Sequence, residues 1–177
     1  MRIGIILVLV AQLAFAALVE ARAGGPKVFT IASLTTHCVL QGGVKGSTIT
    51  QKCDYDSENL PPPAARWYFE AYEPGSWLYK IVNVGSGRCM DVRGFGLSTA
   101  VQIIPWDCKR TSADNDANQW FWLRRSDTCD NCYFIQSAWS KLYLGLLNCP
   151  TTLPSPLVQR HFDGHDACQE WGLVPHH

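Results

Sequence analysis

The sequence predicts an all-β protein closed on a threefold internal repeat and stapled by disulfides. Three observations carry this: strand-like segments recurring about fifty residues apart, an aromatic box closing each unit, and eight cysteines behind an apolar N-terminal leader. No stretch after the leader sustains an apolar period of 3.6 residues, so helices are not expected.

The leader is "MRIGIILVLVAQLAFAALVEARA", residues 1–23. A basic residue, a long apolar run and the small-x-small ending Ala21-Arg22-Ala23 are the pattern of a secretory signal peptide, with a second possible cut after Ala16. The run approaches spanning length, so the competing reading is an uncleaved anchor, and the small-residue ending favours removal. Residues 24–177 then form a single extracellular domain, large enough to bury a core and with no membrane span left after cleavage. The formal net charge is zero, so no electrostatic footprint for a polyanion exists and nucleic acid is not an expected partner. No Asn-x-Ser/Thr sequon occurs.

The repeats open with "FTIAS" (29–33), "YKIVN" (79–83) and "YFIQS" (133–137), each alternating as a strand does. Seven or eight residues beyond each Ile come Cys38, Cys89 and Tyr143, which start second strands in "CVLQGG", "CMDVRG" and "YLGLLN". Each unit closes with a box of the form Arg/Gln-x-aromatic: "RWY" (66–68), "QWF" (119–121) and "QEW" (169–171). The units run about 27–76, 77–131 and 132–175, with "PPPAA" (61–65) and "CPTTLPSP" (149–156) as rigid loops inside them. About four short strands per unit cannot bury a hydrophobic face alone. Three units must share one core, and closure into a barrel removes the exposed strand edges.

The Gln-x-aromatic boxes, "SGRCMDVRG" (86–94) and "DANQWF" (116–121), set in a threefold array, resemble the ricin B-type β-trefoil lectins. The resemblance covers essentially all of residues 24–177 and is strongest in the middle repeat. It implies a β-trefoil, a six-stranded barrel capped by three hairpins. It also implies shallow sugar sites on the repeats, often for galactose or N-acetylgalactosamine, with glycans or glycoproteins of cell surfaces as partners and no cofactor.

A sugar offers vicinal hydroxyls and one weakly apolar face. Its site therefore needs a carboxylate to accept hydroxyl protons, an amide to donate, and a ring to stack on. By resemblance Asp91 is the carboxylate, Trp106 in "IIPWDC" the stacking aromatic and Asn118 the amide. Gln119 belongs to the internal box, where it ties loop backbone to the barrel. Familiar members carry a glutamine two residues before the aromatic. Here Ile104 stands there, and the nearest candidate, Gln102, would serve only if the loop carried an insertion. Leu40 in the first repeat and Gly145 in the third fall where the carboxylate should be, so those sites are expected to be dead.

Eight cysteines allow 105 connectivities. Equivalent places in the repeats suggest Cys38–Cys53 and Cys89–Cys108, and the further pairs expected are Cys149–Cys168 and Cys129–Cys132. "CDNC" (129–132) also has metal-knuckle or redox spacing, and "HFDGHD" (161–166) offers His161 and His165. A zinc site wants two more ligands, and an oxidising compartment assigns these cysteines to disulfides, so no metal is expected. No nucleophile elbow, zincin helix or phosphate-cradling loop appears, and no enzyme is expected.

Two functions follow. The first is a secreted lectin with one sugar site in the middle repeat. The second is a sugar-inactive trefoil that binds a protein, such as a toxin or effector partner chain or a protease. The closing "CQEWGLVP" resembles the ends of ricin B-like binding subunits of cytolethal distending toxins.

Overall fold

The computed structural model describes residues 27–54, 60–110, 115–147, 149, 154–164 and 166–176. Residues 1–23, read above as a signal peptide, and His165 lie outside the described residues. Twelve strands run in chain order: β1 (Val28–Ser33), β2 (Val39–Gln41), β3 (Thr50–Lys52), β4 (Arg66–Ala71), β5 (Leu78–Asn83), β6 (Cys89–Val92), β7 (Ile103–Trp106), β8 (Phe121–Arg125), β9 (Cys132–Ser137), β10 (Tyr143–Leu146), β11 (Leu157–Arg160) and β12 (Glu170–His176).

Six of them close a ring through antiparallel pairs in the order β1–β4–β5–β8–β9–β12 and back to β1. The other six form the hairpins β2–β3, β6–β7 and β10–β11 that cap it. This is the β-trefoil, four strands to a repeat. Among the described residues no helix is long and apolar enough to cross a membrane.

The core is layered in threes because each repeat points the same positions inward. Ile31, Ile81 and Ile135 form one layer, Leu40, Met90 and Leu144 another, and Ile49, Ile103 and Leu157 a third where the hairpins meet; all nine are buried. Trp67, Phe121 and Trp171 make the aromatic layer, also buried. The indole N–H of Trp67 donates to the Leu40 carbonyl and that of Trp171 to the Leu144 carbonyl, so each ring satisfies its polar edge inside the core. The first box is therefore corrected by one residue: its core aromatic is Trp67, not Tyr68, and Ala65 stands in the place of Gln119 and Gln169.

The turn after the first strand of each repeat is the same device three times. Ser33, Asn83 and Ser137 are buried, and each accepts a backbone N–H on its side-chain oxygen from three residues on. The fourth residue of the turn is left-handed: His37, Gly87 and Lys141, with φ of 56°, 64° and 65°. The disulfides among the described residues are Cys38–Cys53, Cys89–Cys108, Cys129–Cys132 and Cys149–Cys168. The first two staple matching hairpins, shifted by one residue: the register aligns Val39, not Cys38, with Cys89.

A Cβ on Gly87 would meet nothing within 4 Å, so Gly87→Ala isolates the backbone cost of φ 64°. The substitution should lower stability by about 1 kcal/mol in urea unfolding. An unchanged midpoint would contradict the turn's assignment.

Candidate functional site

The β6–β7 hairpin sets Asp91 opposite Ile104 and Cys89 opposite Trp106. Alternation puts Met90, Val92 and Ile103 on the core face and Asp91, Ile104 and Trp106 on the other. A 3₁₀ turn, Ala117–Gln119, then folds against that outer face on its way into β8 and buries Asp91 to 3% exposure. Asn118 Nδ2 donates to Asp91 Oδ1 at 2.7 Å and to the Val92 carbonyl at 2.9 Å. Gln119 Nε2 donates to Asp91 Oδ2 at 2.9 Å and to the Asp107 carbonyl at 3.0 Å, while its Oε1 accepts the Lys109 N–H at 2.9 Å. Gln169 repeats this clamp in the third repeat, between the His161 carbonyl and the Asp163 N–H.

Asp91 and Asn118 line a cavity of about 400 Å³ with Ile104 and Trp106 on its wall. Trp106 is 38% exposed, and the Lys45 ammonium lies 4.5 Å from its ring centroid, over one face. Lys109 reaches in from beyond the hairpin: its Nζ donates to Asn118 Oδ1 at 2.7 Å, stands 3.6 Å from Asp91 Oδ2, and lies 4.2 Å from the Phe95 ring centroid. Both N–H groups of Asn118 are thus spent on Asp91 and Val92. It fixes the carboxylate, and the cation on the cavity wall is Lys109, whose Nζ also donates to the Asn115 carbonyl at 3.3 Å.

Burial pushes the Asp91 carboxyl above the ordinary aspartate value, against the hydrogen bond from Gln119, the charge of Lys109 and the hydrogen bond from Asn118. A carboxyl raised in this way favours the folded state at pH below its unfolded value, and that contribution is lost as pH rises through the folded value. At neutral pH the charge on Asp91 is a cost that the two amides and the ammonium offset only in part.

Of the five sequence-derived site residues, the structure gathers Asp91, Trp106 and Asn118 around one cavity and places Gln119 beneath it. Gln102 is not brought in: its carbonyl accepts the Arg93 N–H, and it bridges to Val158 at the cap. The hairpin register is unbroken, with Ile104 opposite Asp91 and Trp106 opposite Cys89. Lys109, Arg93, Phe95 and the Lys45–Gly46 loop were not legible as site residues. Lys45 and Gly46 come from the first repeat, and no reading confined to one repeat could have found them.

The other repeats differ at every one of these places. By register Gln41, not Leu40, holds the position of Asp91 in the first repeat, opposite Thr50; Leu40 is core. Lys52 there replaces Trp106, and Ala64 replaces Asn118. In the third repeat Gly145, Arg160 and Cys168 stand at these places. A Cβ on Gly145 would lie 2.9 Å from Arg160 Cδ, and Arg160 is turned to Asp166 at 2.7 Å. Neither repeat presents a carboxylate or an aromatic ring at these places.

Residues 63–146, which hold this whole hairpin and its 3₁₀ turn, match the family described as ricin-type beta-trefoil lectin domain-like. In its middle stretch the chain is similar to ricin-type β-trefoil lectin-like domains. The designed threefold-symmetric protein ThreeFoil is similar to it with a TM-score of 0.69 and 19% identity, over 83% of this chain and 97% of that one. The Polyporus squamosus lectin, solved with a human-type influenza-binding epitope, gives 0.65 and 20% over 86% of this chain and 50% of its own. Cytolethal distending toxin from Actinobacillus actinomycetemcomitans gives 0.64 and 18% over 84% and 90%. At these identities the structural likeness speaks to fold alone. No curated protein matches the chain. A β-trefoil lectin-like fold supports carbohydrate binding in general; the matched family is generally non-catalytic, and some structural neighbours are enzymes or toxins.

Phe95 lines the same cavity in an unfavourable backbone state, φ 57°, next to Gly94 at 60°. Trp139 of the third repeat holds it there, ring edge to face at 5.4 Å and indole N–H to the Phe95 carbonyl at 2.8 Å. Phe95→Gly relieves left-handed strain of about 1 kcal/mol and forfeits a ring pair of about 0.5–1.5 kcal/mol. The melting temperature should stay close to wild type while ligand affinity falls. A large drop in thermal stability would instead make Phe95 a packing residue.

Proposed function

We propose that the protein is a secreted lectin whose middle repeat binds a glycan ending in galactose or N-acetylgalactosamine. The observation that carries the reading is a carboxylate held by two amides beside an exposed tryptophan in one open cavity. An ionised carboxylate offers about four lone-pair sites. Those of Asp91 take the amides of Asn118 and Gln119, and Lys109 stands 3.6 Å from Oδ2, which leaves open capacity on Oδ1 for a sugar hydroxyl. Trp106 supplies the flat apolar surface for the sugar's C–H face. Secretion is proposed from the leader and from four disulfides, which suit an oxidising compartment.

Lactose titrated calorimetrically into wild type and Trp106→Ala tests this. Trp106 is at the surface, so its loss should leave the melting temperature nearly unchanged and weaken binding about tenfold or more. Equal affinities would remove Trp106 from the site. No binding of any glycan on an array would favour the trefoil that binds a protein partner.

With a carboxylate in one repeat only, the monomer should be monovalent. Purified monomer should fail to agglutinate red cells, and strong agglutination by a proven monomer would contradict a single site.

A further inference from the structure

We propose that the glycan taken by the middle-repeat site carries an anionic substituent, a sulfate or a carboxylate, read by Arg93 and Lys109. This deepens the lectin reading and rests on it. The whole chain is electrically balanced, yet the walls of this cavity are not. Asp91 is the acid on its floor, and the Lys109 ammonium at 3.6 Å already answers it. Arg93 lines the same cavity with its Nη2 donating to the Gly46 carbonyl at 2.6 Å. No carboxylate of the described residues lies within ion-pair distance of that guanidinium. Outside the lining residues, Asp107 pairs with both Lys45 and Arg88. The charged side chains that line the cavity are therefore two cations, Arg93 and Lys109, against one acid, Asp91.

A neutral sugar laid over this cavity would replace water at the Arg93 guanidinium with hydroxyl acceptors only, which answer its charge less well than an anionic oxygen does. An anionic oxygen group supplies that answer. The free edge of Arg93 presents N–H donors in a fork that suits sulfate or carboxylate, and Lys109 adds a point charge on the other side of the floor. Asp91 remains the acceptor for the ring hydroxyls, screened from the substituent by the ammonium beside it. The site then reads a polar sugar edge and a negative group together.

Lactose, lactose 3′-sulfate and 3′-sialyllactose, titrated calorimetrically into wild type, Arg93→Gln and Lys109→Gln, decide the matter, with thermal melts to confirm that each variant is folded. The expected result is that one of the anionic probes binds wild type about tenfold tighter than lactose, with the gap shrinking as salt is added. The sulfate and the sialic carboxylate separate the two sources of charge. The anionic preference should fall in both variants. Equal affinity for all three probes would overturn the proposal and leave the lectin reading standing. Binding of none would overturn both. A preference that survives both substitutions would take the assignment away from these cations.

Discussion

The convergence of two side-chain amides on the Asp91 carboxylate is the contact on which the middle repeat depends. Gln119 bonds at once to Asp91, to the Asp107 carbonyl and to the Lys109 N–H, so one side chain ties both strands of the hairpin to the start of a barrel strand. Hydrogen bonds to a charged acceptor are stronger than neutral ones, and removing any partner would leave buried polar groups unanswered. The same interaction aims the carboxylate. Asp91 is a structural acid, and in the proposed reading also the site acid, because the groups that stabilise its charge fix where its remaining lone pairs point.

Threefold symmetry explains both the core and the singularity of the site. The inward layers are kept in all three repeats, because each must fill the same third of one barrel. The outer face of each hairpin is under no such demand. There the third repeat has turned Arg160 to Asp166 and reduced the carboxylate position to Gly145, and the first repeat carries Gln41 and Lys52. Symmetry supplies three platforms, and side chains on the outer face decide which of them can hold a ligand. The surviving site also borrows from its neighbours: Gly46 of the first repeat accepts from Arg93, and Trp139 of the third holds Phe95 in its strained turn.

Most of the fold was legible in the sequence. Ile31, Ile81 and Ile135 mark equivalent strands by alternation, and the layered core follows from their spacing. The register of the first repeat was not legible at the residue level. Its cysteine precedes by one the place that Cys89 holds, so alignment on cysteines moved Leu40 into a position that belongs to Gln41. The box slipped in the same way, because Arg66 at the edge of the barrel looks like the missing glutamine while Ala65 occupies its place. Within the site, the residue types were readable and their commitments were not. That Asn118 spends both N–H groups internally, and that Lys109 reaches the cavity wall, depends on how the 3₁₀ turn packs on the hairpin. No spacing encodes that.

The most direct measurement is the titration of the Asp91 carboxyl carbon by NMR, in the free protein and with saturating lactose, a neutral probe that adds no charge of its own. In the free protein burial holds the midpoint above the ordinary aspartate value. Sugar hydroxyls that donate to the carboxylate favour its charged form, so the midpoint should move to lower pH in the complex. A midpoint that stays in place while lactose is demonstrably bound would contradict the claim that Asp91 receives the sugar.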